Sequence, residues 1–232
     1  MSKKLFYIIA TITVLVSVLL FIFPRIDLAI SHFFYLPNGH FLLASTPEQI
    51  HILNILRNSL VDASFVFMGI ILLIFIYGMV FKKHPKNFSP RNCAFILICF
   101  FLIPGLFING ILKNYWGRAR PFQIQEFGGD KQFTPAWVIS NQCQKNCSFT
   151  SGETANIFCY LALLFLIKRK KWAFASVMLM GLFISFERIA QGEHFFSDTL
   201  LSALLDYLSI WLIYHLLRIG EKNDCDFRKQ LI

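Results

Sequence analysis

Apolar residues in this chain gather into runs long enough to cross a bilayer, and polar residues gather between the runs. About 20 apolar residues span a hydrocarbon core. By that measure the pattern predicts six spans, at 5–23, 61–81, 93–112, 152–167, 172–190 and 198–217. The fourth and fifth reach full length only by borrowing weakly polar flanks. The first run follows Lys3 and Lys4 as a signal peptide would, but it is too long for a signal core and its small-residue pattern lies beyond Pro24, Arg25 and Asp27, so it reads as an uncleaved anchor. The fold class is therefore all-α, a polytopic membrane protein. There is no internal repeat, low-complexity linker or second domain, and residues 1–232 read as one unit.

Composition agrees. Hydrophobic residues make up 56% of the chain, with 27 Phe and only 15% charged residues, more apolar surface than a soluble domain of this size could bury. The net charge of +9 does not point to nucleic acid, because the basic residues form short clusters between apolar runs and no continuous stripe.

The clusters set an orientation instead. With a cytoplasmic N-terminus, the inner loops hold Lys3, Lys4, Lys82, Lys83, Lys86, Arg91, the run 168–171, Arg218, Lys222, Arg228 and Lys229, which is 14 of the 22 basic residues. The remaining eight are Arg25, Arg57, Lys113, Arg118, Arg120, Lys131, Lys145 and Arg188, in three segments expected outside: 25–57, 113–154 and 187–198. Cys143 and Cys147 fall on that outer side, where a disulfide can persist, and spacing in a turn permits one. Two free thiols are the alternative. A metal site there is not expected, since no His is near.

Three clusters carry candidate chemistry. Lys113 and Arg120-Pro121 close the third span. They could be snorkelling anchors, or a point charge and a planar fork aimed at phosphate oxygens. "CSFTSGETAN", 147–156, precedes the fourth span. Thr150 and Glu153 match a capping box, while Ser151 and Gly152 could offer free amides to an anion. In "ERIAQGEHFFSDTL", 187–200, His194 and Asp198 stand one helical turn apart, so the carboxylate could orient an imidazole that attacks or shuttles protons. Alternatively Asp198 caps the sixth span and His194 is interfacial.

Taken together, Lys113, Arg120-Pro121, Ser151-Gly152, Arg188, His194 and Asp198 resemble the three-part signature of the type 2 phosphatidic acid phosphatase superfamily. The resemblance implies a six-helix membrane phosphatase with no metal or other cofactor. By it His194 is the nucleophile forming a phosphohistidine, and Asp198 orients it. Lys113, Arg120, Arg188 and the amides of Ser151 and Gly152 hold the phosphate. Two departures stand out: Glu153 replaces the His that usually serves as the acid, and Glu187 replaces a Ser before Arg188. The first leaves Glu153 as the candidate acid.

"NCSFTSGE", the cysteine pair and "FPRIDLAISHFFY" further resemble the branch that dephosphorylates lipid A, in particular at the 4′ position. This implies a bacterial inner-membrane enzyme with a periplasmic site and a phosphorylated lipid as its only expected partner. Alternatives are a phosphatase of undecaprenyl diphosphate, phosphatidic acid or phosphatidylglycerol phosphate, or a lipid phosphotransferase. A soluble vanadate haloperoxidase is disfavoured by the six spans, and a transporter or non-catalytic lipid binder by the intact His194.

Overall fold

The computed structural model describes residues 3–167 and 171–219. The expected basic clusters at 168–170 and beyond 219, and Cys225, lie outside the described residues. Everything described is helix, turn or loop apart from isolated bridges at Tyr35–Phe41 and Ile124–Lys131.

Five helices are long and apolar enough to cross a membrane: α1 (Lys3–Ile22), α3 (Pro47–Phe81), α4 (Pro90–Tyr115), α6 (Lys171–Ala190) and α7 (Phe196–Leu216). The expected fourth span is a shorter apolar helix, α5 (Gly152–Leu166). At about 1.5 Å per residue it covers roughly 22 Å, less than a typical hydrocarbon core. Its residues are largely buried among the other helices. A helix surrounded by protein need not match the bilayer thickness.

Segment 25–57, expected as a loop, contains α2 (Arg25–Phe33) and the first turns of α3. Thr46 starts α3 by accepting the Gln49 N–H, and Pro47 takes the first helical position, where a missing N–H costs nothing. At 35 residues, α3 is about 50 Å long, so its first turns project beyond the apolar stretch. Large apolar side chains on α1 and α3, such as Leu15, Phe65 and Leu73, face outward and remain exposed. Lipid is the solvent that such faces fit.

Inside, Phe95, Ile96 and Cys99 of α4 pack with Phe158, Cys159 and Ala162 of α5 and with Leu201 and Ile210 of α7. From Phe101 to Leu112, α4 is wound as a π-helix containing Pro104. The Asn109 side-chain amide donates to the Pro104 carbonyl at 2.6 Å, adding a side-chain bond across the π-wound turn. The same Asn109 lies against Gly152, where a Cβ would collide with it. The end of α4 and the start of α5 are thereby brought together, and Lys113 and Glu153 with them.

Candidate active site

The site is assembled from four chain segments at one end of the bundle: the end of α4 with loop 116–123, the return loop 143–151, the start of α5, and the turn from α6 into α7. Backbone bonds fix their register. Cys147 N–H donates to Lys113 O and Ser148 N–H to Arg118 O, both at 2.9 Å, while Phe122 N–H donates to Gly192 O at 3.0 Å. Gly192 has φ +72°, and its missing side chain leaves room for the Phe41 ring. The turn therefore closes tightly, with the N–H groups of Glu193 and His194 both donating to Arg188 O.

His194 is fully buried. Its Nδ1 lies 2.8 Å from the Ser148 carbonyl oxygen. A carbonyl only accepts, so Nδ1 carries the proton and, in the neutral ring, Nε2 holds the lone pair. Asp198 is 3.8 Å from Nδ1, near enough for charge stabilisation but not the direct acceptor. Its carboxylate is committed elsewhere. It accepts from Arg118 at 2.6 Å, from the Ser148 hydroxyl at 2.5 Å and from Phe195 N–H at 3.0 Å. Asp198 is thus linked to the imidazole through Ser148, whose hydroxyl donates to the carboxylate and whose carbonyl accepts the Nδ1–H hydrogen bond. Burial lowers the His194 pKa from its ordinary value, an effect that Asp198 and Glu153 oppose.

On the Nε2 side, Glu153 Oε2 approaches to 3.6 Å and is also 3.5 Å from Lys113 Nζ. The capping-box expectation fails here. The N-cap is Ser151, with φ −72° and ψ 112°, and its hydroxyl accepts from Thr154 N–H. The helix starts one residue later than the Thr150 box requires, and Ser151 N–H donates to the Asp198 backbone carbonyl at 3.3 Å. Glu153 is then in the wrong position to reach back to the cap and turns toward His194 and Lys113. The Ser151 amide is likewise engaged, whereas the Gly152 and Glu153 N–H groups stand at the open first turn of the helix.

Arg120 and Arg188 converge on one carboxylate that sequence reasoning missed, Glu193. It pairs with Arg120 and lies 3.2 Å from the Arg188 guanidinium. Arg120 is further held by Asn146 O at 2.9 Å, and Arg188 by the Gln191 side chain at 2.9 Å. Lys113, Arg120 and Arg188 therefore surround a space occupied by the carboxylates of Glu153 and Glu193. Three cations there suit a phosphoryl group with spread negative charge.

A second group escaped the sequence reading. Arg118 is completely buried, with Asp198 on one nitrogen and Asp27 of α2 on another at 2.8 Å. Its guanidinium lies 4.2 Å from the Phe195 ring centroid. Asp27 also accepts from Ser197 N–H at 2.9 Å and from its hydroxyl at 2.6 Å. The signal was present as a charge in the short outer helix, but its partner stands 91 positions away. Cys143 and Cys147 are joined as a disulfide, with Cα atoms 5.6 Å apart, immediately before Ser148.

Comparison with known proteins gives a consistent result. Residues 94–220 match the family model described as the PAP2 superfamily. The chain is 33% identical over 199 residues to the lipid A 4'-phosphatase of Francisella tularensis subsp. novicida (strain U112), covering 84% of this chain and 88% of that protein. It is 30% identical over 144 residues to the lipid A 4'-phosphatase of Rhizobium leguminosarum, covering 58% and 61%. For the lipid A 4'-phosphatase of Rhizobium etli, identity is 39% over 131 residues, covering 53% and 50%. No solved structure matches the chain.

Proposed function

The chain belongs to the PAP2 superfamily, and from that premise we propose that it is a membrane lipid phosphatase removing a phosphomonoester from lipid A, at the 4′ position, on the periplasmic leaflet. One observation carries the chemistry: the imidazole of His194 is fixed by the Ser148 carbonyl with its Nε2 lone pair turned toward Glu153 and Lys113.

In the proposed reaction Nε2 attacks phosphorus, the bond to the leaving sugar oxygen breaks, and a phosphohistidine forms. Water then attacks that intermediate and releases inorganic phosphate. The positive charge that develops on the ring is stabilised by Asp198 across 3.8 Å. Charge on the phosphoryl oxygens is met by Lys113, Arg120 and Arg188 and by the amides at the start of α5. Glu153 is the candidate donor to the leaving oxygen, once it has taken up a proton. This scheme needs no metal. The site's orientation follows from the distribution of basic residues, with α5 as a sixth, shorter membrane segment and residues 1–232 as one unit.

The test is phosphate release from purified lipids by the wild type and His194→Ala. Lipid A labelled at the 4′-phosphate should lose that label at least tenfold faster than its 1-phosphate or the phosphate of phosphatidate. His194→Ala should fall below a thousandth of wild type. Equal rates on all lipids would overturn the lipid A assignment, and a His194→Ala rate within tenfold of wild type would overturn the mechanism.

A further inference from the structure

Two cavities border the site, one lined by Lys113 and Glu153 and the other by Glu193. One, of about 460 Å³, lies between α3, α4 and α5 and is walled by Phe65, Met68, Phe100 and Phe101, with Lys113 and Glu153 at its end. Its chemistry is that of a lipid chain. The other, of about 420 Å³, is bounded by the 35–44 loop, the start of α3, loop 122–128 and the turn before His194. Its walls are the more polar of the two, with Asn54, Gln191, His40 and Glu193 set among aromatic rings, whereas the first is mainly apolar.

The outer cavity has a definite construction. Tyr35, Phe41 and Phe127 form a mutually packed cluster with ring centroids 5.1–5.3 Å apart. Phe122 stands half free at the edge, 44% exposed. Also lining the cavity, the Asn54 side chain makes no hydrogen bond among the described residues, and the Gln191 side-chain carbonyl accepts from Arg188 at 2.9 Å, which leaves its NH₂ free to donate. Glu193 borders both this cavity and the phosphate-facing cations. The volume falls within the ~300–1,000 Å³ of small-ligand sites, where apolar walls and a few placed polar groups set selectivity.

We propose that this outer cavity is a saccharide subsite, holding the pyranose ring that bears the scissile phosphate. The inference rests on the lipid phosphatase reading and adds to it the device that selects a sugar headgroup over glycerol. A pyranose offers an apolar C–H face to an aromatic wall and a rim of hydroxyl and amide groups to Asn54 and Gln191. Glycerol has no such face, so a glycerophospholipid uses the cations and the acyl groove alone. A site that hydrogen-bonds its substrate strongly disfavours an analogue lacking those groups, since its polar atoms are then left unpaired.

The decisive measurement does not depend on turnover. Ile50 lines the cavity and is 41% exposed. Ile50→Cys, in a protein carrying His194→Ala and Cys225→Ser, is reacted with a water-soluble maleimide in mixed micelles. A bisphosphorylated, acylated glucosamine disaccharide should slow labelling at least fivefold, and dioleoyl phosphatidate at the same mole fraction less than twofold. Adding Phe122→Ala or Asn54→Leu should abolish the protection. Equal protection by both lipids, or by neither, overturns the subsite. Failure of the wild type to release phosphate from either lipid would overturn the phosphatase reading separately, while the labelling still decides the subsite.

Discussion

Arg118 and Asp198 meet at 2.6 Å in an ion pair that neither side chain exposes to solvent, and a second carboxylate, Asp27, holds the other arm of the same guanidinium at 2.8 Å. Removing one member leaves buried charge uncompensated, at a cost on the order of 3–5 kcal/mol. Arg118→Ala should therefore unfold at markedly lower temperature in detergent, and Arg118→Lys should not rescue it, because an ammonium lacks the fork that reaches both carboxylates. Asp27→Asn should fold, yet lose about tenfold in kcat with KM unchanged. Unchanged kcat would show that Asp27 serves only the packing of α2.

Burial favours the uncharged imidazole of His194, so its pKa lies below the ordinary value of 6.5. Protonation fills the Nε2 lone pair and stops attack. The rate kcat/KM should fall as pH drops, with its acidic limb below pH ~6.5. The limb is read from initial rates between pH 4 and 8. A limb centred above 7 would mean that the neighbouring carboxylates outweigh burial.

Glu153→Gln disturbs no cap but removes the carboxylate 3.5 Å from buried Lys113, so the melting temperature should fall modestly while the protein still folds. If Glu153 protonates the leaving oxygen, turnover on the lipid should fall by about 10²- to 10⁴-fold. The loss should be smaller on p-nitrophenyl phosphate, whose leaving group needs no proton. Near-normal turnover on the lipid would assign the acid to water or another residue.

Glu193 neutralises the two guanidiniums that the proposed phosphate must reach. Glu193→Gln removes that competition. Inhibition by inorganic phosphate should become at least threefold tighter, measured as Ki in the lipid assay. Weaker inhibition would give Glu193 a role in aiming Arg120 and Arg188.

Orientation can be read with single cysteines at Lys131 and Lys83, in a protein with Cys225→Ser. In intact cells a membrane-impermeant thiol reagent should label position 131 at least fivefold more than position 83. The reverse ratio would invert the topology.

The spans and motif residues were legible because their information is local. Runs of apolar residues, the interval from Lys113 to Arg120, and the single turn from His194 to Asp198 are all set by covalent spacing. The misread cap shows where that ends. Thr150 and Ser151 are both able N-caps, and the cap observed, Ser151, also bonds through its amide to the Asp198 backbone carbonyl 47 positions away, a contact no local pattern reveals. The short α5, Gly152–Leu166 where 152–167 was expected, can stay below full membrane length because its surroundings are other helices. Asp27, Ser148 and Ser197 were illegible because their roles exist only once Arg118 is buried between distant segments.

Ser148 follows Cys147 directly, and Cys147 is anchored to Cys143. One residue beyond that covalent knot, a carbonyl accepts the hydrogen bond of His194 Nδ1–H and a hydroxyl donates to Asp198. A thiol reductant should cut that cross-link and leave the loop beside His194 held by its hydrogen bonds. Under the proposed periplasmic orientation the loop carrying Ser148 would be cross-linked where disulfides persist, and a reductant should lower the rate of phosphate release.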